Sequence, residues 1–256
     1  MTMIDAAVAA LVKARHQNER TAAAEVPLPD TAAAYAVQAG VARALGWFEK
    51  DGDGAAPRYW KSGGASREAL QTHAALPPAG IWPSPADARG WHFHLRGIEA
   101  EIALRLGQDV DAARAAALDL AAATALVDAM CVSIELVDSR WREGLEAPPL
   151  AKLADLQSHG ALVLGEWLPF APRDWGAQRC RVHIGARPVL EFQGTHSMGD
   201  PAFVLLAWLR HATQHGAVVR AGTVLTTGTW CGLPLAAAGE RVLAEFPGIG
   251  QAEVQL

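Results

Sequence analysis

Two stretches near the middle of the chain alternate apolar and acidic positions, which is typical of a β-strand. In Gly97-Ile98-Glu99-Ala100-Glu101-Ile102-Ala103-Leu104 the two glutamates share one face of the predicted strand, and the aliphatic residues share the other. A second stretch, Ser133-Ile134-Glu135-Leu136-Val137-Asp138-Ser139-Arg140, follows one predicted helix later and carries a third glutamate. If the two strands are neighbours, Glu99, Glu101 and Glu135 can meet at one point.

The N-terminal part of the chain has helical spacing instead. Apolar residues recur every three to four positions over residues 4–12, and again over residues 31–45. Asp30 is suited to cap the second helix, and Gly46 is suited to end it. We therefore expect residues 1–50 to form a helical segment that packs on a core of residues 51–256.

The remaining chain mixes short strands with helices. Arg58-Tyr59-Trp60-Lys61 is a predicted strand that ends at a glycine bend, after which Ser66 could cap a short helix toward His73. Residues 111–130 are Ala-rich and predicted to be helical, and Asp200 is predicted to cap a later helix. Further strands are expected over residues 161–164, 181–184, 189–192, 224–227, 241–246 and 251–256, the second and third of these as a hairpin. The pattern predicts an α+β fold with a mainly β core, an N-terminal helical layer and flanking helices.

Composition narrows the function classes. At 256 residues the chain can bury a large core, and its formal net charge of −5 argues against a nucleic-acid partner. No apolar run is long enough to cross a membrane, and the N-terminus lacks a secretion signal, so we expect a cytoplasmic protein. The three cysteines are far apart, which favours buried reduced thiols. Asp51-Gly52-Asp53-Gly54 lacks the other ligands of a calcium loop and is predicted to be a solvated turn.

The third glutamate changes the interpretation of the first two. Alternating glutamates alone usually mark a solvated strand face. Glu135, however, lies within the apolar run 132–137, where an unpaired charge would be costly, so it needs a metal ion or an arginine partner. Arg140 could serve Asp138 and leave Glu135 for the metal. Ligands that are all oxygen favour Mg²⁺ or Mn²⁺ over zinc.

Other polar residues have a structural and a functional interpretation. Lys61 is either a surface charge or, beside Trp60 and the glycine bend, an ammonium that binds a substrate carboxylate. Asp155 is either an orienting acid or a loop cap. His92 and His94 could bind a transition metal as an alternating pair, but their loop position among aromatic residues favours a lid or a packing role.

These residues, taken in order, resemble the 2-keto-4-pentenoate hydratase family within the fumarylacetoacetate hydrolase superfamily. The resemblance extends over most of the chain, and each motif is weak by itself while their order is fairly specific. The motifs are Ala34-Tyr35-Ala36-Val37-Gln38, Tyr59-Trp60-Lys61-Ser62-Gly63, Ile98-Glu99-Ala100-Glu101-Ile102-Ala103, Ile134-Glu135-Leu136-Val137-Asp138-Ser139-Arg140, Gly199-Asp200-Pro201 through Trp208-Leu209, Ala221-Gly222-Thr223-Val224-Leu225-Thr226-Thr227-Gly228 and Gly248-Ile249-Gly250.

The resemblance implies mixed sheets like those of the fumarylacetoacetate hydrolase C-terminal domain, and a metal-dependent lyase. It implies Mg²⁺ or Mn²⁺ held by the three glutamates and a small 2-oxo acid that chelates the metal, so that an enolate is stabilised while water adds to a vinyl group. Lys61 and Asp155 would be catalytic, and Lys61, Gly63 and Ser66 would contact the substrate. The reaction implied first is hydration of a 2-hydroxypenta-2,4-dienoate in aromatic catabolism.

Relatives that look alike in sequence leave alternatives open, because fold and metal carry over better than reaction. These alternatives are a 4-oxalocrotonate decarboxylase, an acylpyruvate hydrolase and a degenerate homologue that binds an oxo acid without turnover. The last arises because Ala151 and Leu156 replace an Asp and an Asn that relatives usually carry around Ala154-Asp155, with Lys152 and His159 as candidate substitutes. The resemblance also implies a homo-oligomer, with a complex with a pathway enzyme as a further option.

Overall fold

A computed structural model describes residues 2–48 and 56–256. Within these residues the α-helices are α1 (Met3–Gln17), α2 (Thr31–Ala44), α3 (Ala112–Ala117), α4 (Leu120–Thr124), α5 (Pro149–Ala154) and α6 (Leu205–Ala212). The strands are β1 (Tyr59–Gly63), β2 (Thr72–Ala75), β3 (Ile81–Pro83), β4 (Ala86–Asp87), β5 (Gly97–Leu106), β6 (Val127–Val137), β7 (His159–Leu164), β8 (Leu168–Pro169), β9 (Arg179–Ile184), β10 (Leu190–Gln193), β11 (Val224–Thr226), β12 (Arg241–Phe246) and β13 (Gly250–Gln255).

The strands form two mixed sheets. The larger sheet has the order β2-β1-β11-β5-β6-β7-β3, with β8 paired to β6, and the smaller sheet has the order β10-β9-β12-β13-β4. The long antiparallel pair β5–β6 lies at the centre of the larger sheet. The predicted α+β fold with a mainly β core is therefore confirmed.

The main core lies between the two sheets. Ile98, Ala100 and Ile102 of β5 are fully buried there, together with residues such as Val182 of β9 and Val254 of β13. Because side chains alternate along a strand, the glutamates of β5 must lie on the opposite face of the larger sheet. The same strand thus supplies the core with one face and the candidate site with the other.

The N-terminal helices cover part of that second face. Helix α1 packs on α2, and α2 packs on α5, around a cluster that includes Leu11, Val37, Trp141 and Leu153. The predicted cap at Asp30 is present, since its side chain accepts a hydrogen bond from the backbone N–H of Ala33. The division of the chain into segments 1–50 and 51–256 stays a prediction.

Two of the predicted helices differ in the structure. Residues 111–130 are not one helix: Leu118 is extended, Asp119 caps the new helix α4, and β6 begins at Val127. No helix follows Ser66; instead the chain bends and then forms β2, which pairs with β1. In both places pairing within the sheet outweighs local helix preference.

Several other expectations can be checked. The hairpin of β9 and β10 is present, and Asp200 caps the helical segment that continues into α6. All three cysteines are buried and free, as predicted. In residues 2–48 and 56–256 no helix has the length and apolar character to span a bilayer. The predicted turn Asp51-Gly52-Asp53-Gly54 lies outside the described residues.

Candidate metal centre

The three glutamates meet on the face of the larger sheet that points away from the main core. Glu99 of β5 lies directly opposite Glu135 of β6, and Glu101 lies opposite Ser133. Each glutamate offers one carboxylate oxygen such that these three atoms lie within 4.8 Å of one another. Glu101 and Glu135 are almost completely buried, with 1% and 0% of their surface exposed, so bulk water does not separate the charges.

Neighbouring groups bind some of the carboxylate oxygens and leave others free. Glu101 Oε2 accepts hydrogen bonds from the Thr226 hydroxyl and from the backbone N–H of Gly228. Glu135 Oε1 accepts from Lys61 Nζ at 2.5 Å and from His159 Nδ1 at 3.0 Å. Glu135 Oε2 is buried and has no hydrogen-bond partner. A buried carboxylate oxygen without a hydrogen-bond partner, on one of three carboxylates that lie close together, fits a hard divalent cation.

Burial and mutual repulsion change the ionisation of the carboxylates. Burial, aided by the charges of Glu135 and Glu101, raises the pKa of Glu99 to about 8. Burial and Glu135 likewise raise the pKa of Glu101 to about 6. Burial also opposes ionisation of Glu135, but Lys61 and His159 together outweigh burial and lower the pKa of Glu135. Without a cation, the site therefore retains protons that an exposed glutamate would lose.

Lys61 is the cation of this centre. It lies on β1 opposite Thr226 of β11, and its side chain is only 13% exposed. Burial alone would lower its pKa, but the charges of Glu135, Glu99 and Glu101 outweigh burial and raise it. Lys61 Nζ also lies 3.4 Å from the carbonyl oxygen of Gln157, to which it donates. In the metal-free centre Lys61 is therefore protonated at neutral pH and can donate hydrogen bonds.

The segment after α5 covers the centre. Leu156, Gln157 and Ser158 all have positive φ, between 55° and 59°, which is an uncommon conformation for residues other than glycine. Leu156 packs with Leu76 and Leu162 in an apolar cluster beside the site. The Leu156 side chain thus contributes packing at this position.

Asp155 lies in a separate cluster of buried charges. Its carboxylate accepts hydrogen bonds from Arg15 Nη2 at 2.9 Å and from Arg140 Nε at 2.8 Å, and it also accepts from the Arg140 backbone N–H. The expected pair of Arg140 with Asp138 is present at 3.5 Å. The structure therefore brings Lys61 to the three glutamates but surrounds the Asp155 carboxylate with arginines.

Gly63 is the last residue of β1, and Ser66 lies in the bend after it. Gly63 pairs with Thr72 of β2, and the Ser66 hydroxyl donates to Glu68 at 2.8 Å. In the part of the chain that the structure describes, no hydrogen bond joins either residue to the three glutamates. Their contact with a substrate stays a prediction.

The two histidines of the loop before β5 do not form a metal site. The rings of His92 and His94 lie 4.8 Å apart, in the wall of a cavity of about 470 Å³ that also borders Arg140 and His159. Among residues 2–48 and 56–256, the only group of three or more potential ligands that lie close enough to share an ion is the glutamate trio. The lid or packing role of His92 and His94 stays a prediction.

Sequence reasoning missed several residues of the centre. Thr226 and Gly228 were recognised only as parts of a motif, although they bind Glu101. The sequence gives no sign of the contact between the Gln157 carbonyl and Lys61. His159 was a candidate polar group, but its contact with Glu135, 24 residues away, could not be foreseen. For Gln157 and His159, the signal in the sequence is the short polar run Gln157-Ser158-His159.

Solved structures with the same fold include a 4-oxalocrotonate decarboxylase from Pseudomonas putida G7. In complex with magnesium and adipate it matches at a TM-score of 0.80 and 18% identity, over 98% of this chain and 96% of the decarboxylase. In complex with calcium and acetate it matches at 0.79 and 19%, over 100% and 98%. A protein assigned as a fumarylpyruvate hydrolase from Burkholderia cenocepacia matches at 0.57 and 19%, over 78% and 88%. At these identities the likeness establishes the fold alone.

A family model gives the assignment itself. The model for the fumarylacetoacetate (FAA) hydrolase C-terminal family matches residues 80–256, which include both glutamate strands and the covering segment after α5. This range is well over half of the chain. The chain therefore belongs to the fumarylacetoacetate hydrolase C-terminal family.

Proposed function

We propose that this protein is a Mg²⁺- or Mn²⁺-dependent lyase that acts on a small 2-oxo or 2-hydroxydienoate acid, with hydration of a 2-hydroxypenta-2,4-dienoate as its reaction. The observation that carries this proposal is the trio Glu99, Glu101 and Glu135, together with the unpartnered Oε2 of Glu135. The magnesium bound to the related decarboxylase supports the choice of metal.

The charges of the centre support a divalent ion. Three carboxylates face one ammonium, so two negative charges stay uncompensated when all four groups are ionised. In a buried site this excess is unfavourable, and a cation of charge +2 would neutralise it. Ligands that are all oxygen suit Mg²⁺ and Mn²⁺. Glu99, Glu101 and Glu135 would hold the ion.

A bound divalent cation would supply Lewis-acid polarisation of the 2-oxo acid. The protein's own groups then have distinct tasks. Glu135 Oε1 and the Gln157 carbonyl orient Lys61, whose remaining N–H can bind a substrate carboxylate or orient a water molecule. His159 donates to Glu135 Oε1 and so fixes the carboxylate with Oε2 free. Leu76, Leu156 and Leu162 form an apolar cluster, and Leu162 lies opposite Glu135 in the pairing of β6 with β7.

Decarboxylation of 4-oxalocrotonate is the second candidate. The match to the decarboxylase extends over 98% of this chain, including the N-terminal helices, whereas the match to the fumarylpyruvate hydrolase covers 78%. The same metal centre and Lys61 would serve either reaction, since both need a polarised 2-oxo acid. The two candidate reactions differ in their substrates: the hydratase would act on a monocarboxylate, and the decarboxylase would act on a dicarboxylate.

The test supplies both substrates to the purified protein with Mg²⁺. Loss of absorbance of 2-hydroxypenta-2,4-dienoate reports hydration, and release of CO₂ from 4-oxalocrotonate reports decarboxylation. We expect turnover that depends on the metal and is lost in Glu99→Ala and Glu101→Ala. Turnover without metal, or turnover that both variants retain, would overturn the proposal.

A calorimetric titration distinguishes an enzyme from a degenerate homologue. The protein is titrated first with Mg²⁺ and then with oxalate, an unreactive dicarboxylate that chelates metal ions. Binding of both without turnover of either substrate would identify a non-catalytic oxo-acid-binding protein and contradict the lyase proposal. Ala151 and Leu156, which depart from the pattern that the family resemblance implies, are the reason for testing a non-catalytic role.

A further inference from the structure

A continuous series of buried polar contacts joins helix α1 to the candidate metal centre. Arg15, near the end of α1, donates to Asp155 at 2.9 Å across 140 residues of sequence. Asp155 accepts from Arg140 Nε at 2.8 Å, and Arg140 Nη2 donates to the carbonyl oxygen of His159 at 2.7 Å. His159 Nδ1 lies 3.0 Å from Glu135 Oε1. We refer to these five residues as the arginine relay.

Asp155, in the middle of the relay, is not free to act directly on a substrate. Asp155 is 1% exposed. Its Oδ1 accepts from both arginines, while its Oδ2 accepts from Arg140 Nε and from the Arg140 backbone N–H. With both oxygens occupied by arginines, the carboxylate fixes the position of Arg140. Its effect on the site must pass through the groups that Arg140 holds.

The end of the relay sets the orientation of a proposed metal ligand. A carboxylate can only accept, so His159 Nδ1 carries the proton and donates it to Glu135 Oε1. This contact and that of Lys61 both fall on Oε1, so Oε2 stays unpartnered. If His159 shifts, Glu135 Oε1 loses one of the two groups that hold it, and the carboxylate can rotate relative to the other two glutamates. Groups that orient metal ligands in this way are usually important for affinity.

Removing Asp155 would disturb this end of the relay electrostatically. Arg15 and Arg140 would then be two guanidinium groups without their shared counter-ion in a buried site. Repulsion between them would displace Arg140 from the His159 carbonyl. The disturbance therefore reaches Glu135 without any change to a residue that touches the substrate.

We propose that Asp155 is a positioning residue that couples the docking of helix α1 to the affinity of the metal centre. The proposal rests on the metal site described under the proposed function. It replaces the catalytic role expected for Asp155 from family resemblance. It also assigns Arg15 a role in a site from which it is distant in sequence.

The first experiment reads the relay in the metal-free protein. Nitrogen NMR of protein labelled at histidine, with the His159 signals assigned through His159→Gln, is compared for wild type, Asp155→Asn and Asp138→Asn. Asp138 is a matched control, because it is also buried and contacts Arg140 but does not contact Arg15. We expect the Nδ1 signal of His159 to shift in Asp155→Asn and in Arg15→Met, and to stay in place in Asp138→Asn.

The second experiment measures Mn²⁺ binding to the same proteins by calorimetry. We expect Asp155→Asn to weaken the dissociation constant by about tenfold or more, as is usual for groups that orient metal ligands. Arg15→Met should have a smaller effect, and Asp138→Asn should stay within about twofold of wild type. In the double variant Asp155→Asn with Arg15→Met, the two losses of Mn²⁺ affinity should not add, because both residues act through Arg140.

The two experiments separate the possible failures. If wild type binds no Mn²⁺, the proposed metal site is wrong, whereas the NMR comparison still decides whether the relay reaches His159. Unchanged His159 signals in Asp155→Asn and Arg15→Met would overturn the relay. Unchanged Mn²⁺ affinity in both variants, with wild type binding normally, would overturn the coupling. Equal losses in Asp155→Asn and Asp138→Asn would show a general effect of stability and would also overturn it.

Discussion

Two clusters of buried charge lie side by side in this protein, and they differ in balance. The carboxylate centre contains Glu99, Glu101 and Glu135, and the ammonium of Lys61 forms an ion pair with Glu135. The arginine cluster contains Arg15 and Arg140 with two aspartates, Asp138 and Asp155. The arginine cluster is neutral overall, because the two arginines and the two aspartates balance each other's charges in ion pairs. The first keeps an excess of negative charge, so it requires a proton or a ligand from outside.

The hydrogen bonds of the two clusters show the same contrast. Both oxygens of Asp155 are occupied, and Asp138 Oδ1 accepts from the backbone N–H groups of His94 and Leu95. In the carboxylate centre, Glu135 Oε2 has no partner, and the pKa of Glu99 is raised to about 8. A buried charge is therefore evidence of function only when its surroundings leave it uncompensated.

The largest expected effect concerns the neutral cluster. Arg140→Met should lower the free energy of unfolding by about 3–5 kcal/mol, because it leaves two buried carboxylates without their shared cation. Urea denaturation measures this loss. Arg142→Met is the matched control: this arginine is exposed, 4.0 Å from Glu25, and its loss should stay within about 0.5 kcal/mol. Equal effects of the two variants would remove the structural role assigned to the arginine cluster.

The next effect concerns the unbalanced centre, and its sign should be opposite. Glu101→Gln removes one of the repelling charges, so the metal-free protein should be as stable as wild type or more stable. Its Mn²⁺ affinity should fall by about 100-fold or more, since loss of an orienting group alone costs about 10–100-fold. The exposed Glu166 provides a control, and Glu166→Gln should bind Mn²⁺ like wild type. A Glu101→Gln protein that is much less stable than wild type and binds Mn²⁺ normally would show that Glu101 has a structural role and is not a metal ligand.

The pH dependence of stability should sharpen the same contrast. The pKa of Glu99 is raised from 4.5 to about 8 in the folded protein, so the folded state holds a proton that the unfolded state has lost. The contribution of Glu99 to stability should therefore fall as the pH rises from about 4.5 to about 8. Thermal melts of metal-free wild type and Glu99→Gln across this range measure the difference. With saturating Mg²⁺ the difference in slope should disappear, and a wild-type slope identical to that of Glu99→Gln without metal would contradict the assignment.

The smallest effect concerns the apolar face of the same strand pair. Ile134 lies next to Glu135 in sequence but faces the core between the sheets. Ile134→Val should cost about 0.5–1.5 kcal/mol of unfolding free energy and leave Mn²⁺ affinity unchanged. Denaturation and calorimetry on one sample test both parts. A change in affinity would mean that the two faces of the sheet are not independent.

Much of the carboxylate centre could be predicted because its pattern is local. Alternation along β5 places Glu99 and Glu101 together, and the apolar setting of Glu135 in β6 indicates an unusual charge. Once the chain between β5 and β6 reverses direction, the two strands can pair as antiparallel neighbours and bring Glu135 opposite Glu99. The same local signals correctly predicted α2 and its cap at Asp30.

The rest depended on contacts between residues distant in sequence. Lys61 reaches Glu135 across 74 residues, and Arg15 reaches Asp155 across 140, so no local pattern reveals which charges are paired. The helix predicted over residues 111–130 failed for a related reason. Its last residues form β6, because pairing with β5 stabilises them more than helix propensity does.

Calorimetric titration of the metal-free protein with Mn²⁺ tests whether the three glutamates bind a divalent cation. At pH 8 we expect one ion bound per chain, with release of protons to the buffer, because Glu99, whose pKa is raised to about 8, is still partly protonated before the ion binds. Glu99→Gln, Glu101→Gln and Glu135→Gln should each weaken binding. The absence of binding by wild type, or binding that all three substitutions leave unchanged, would contradict the proposed metal site.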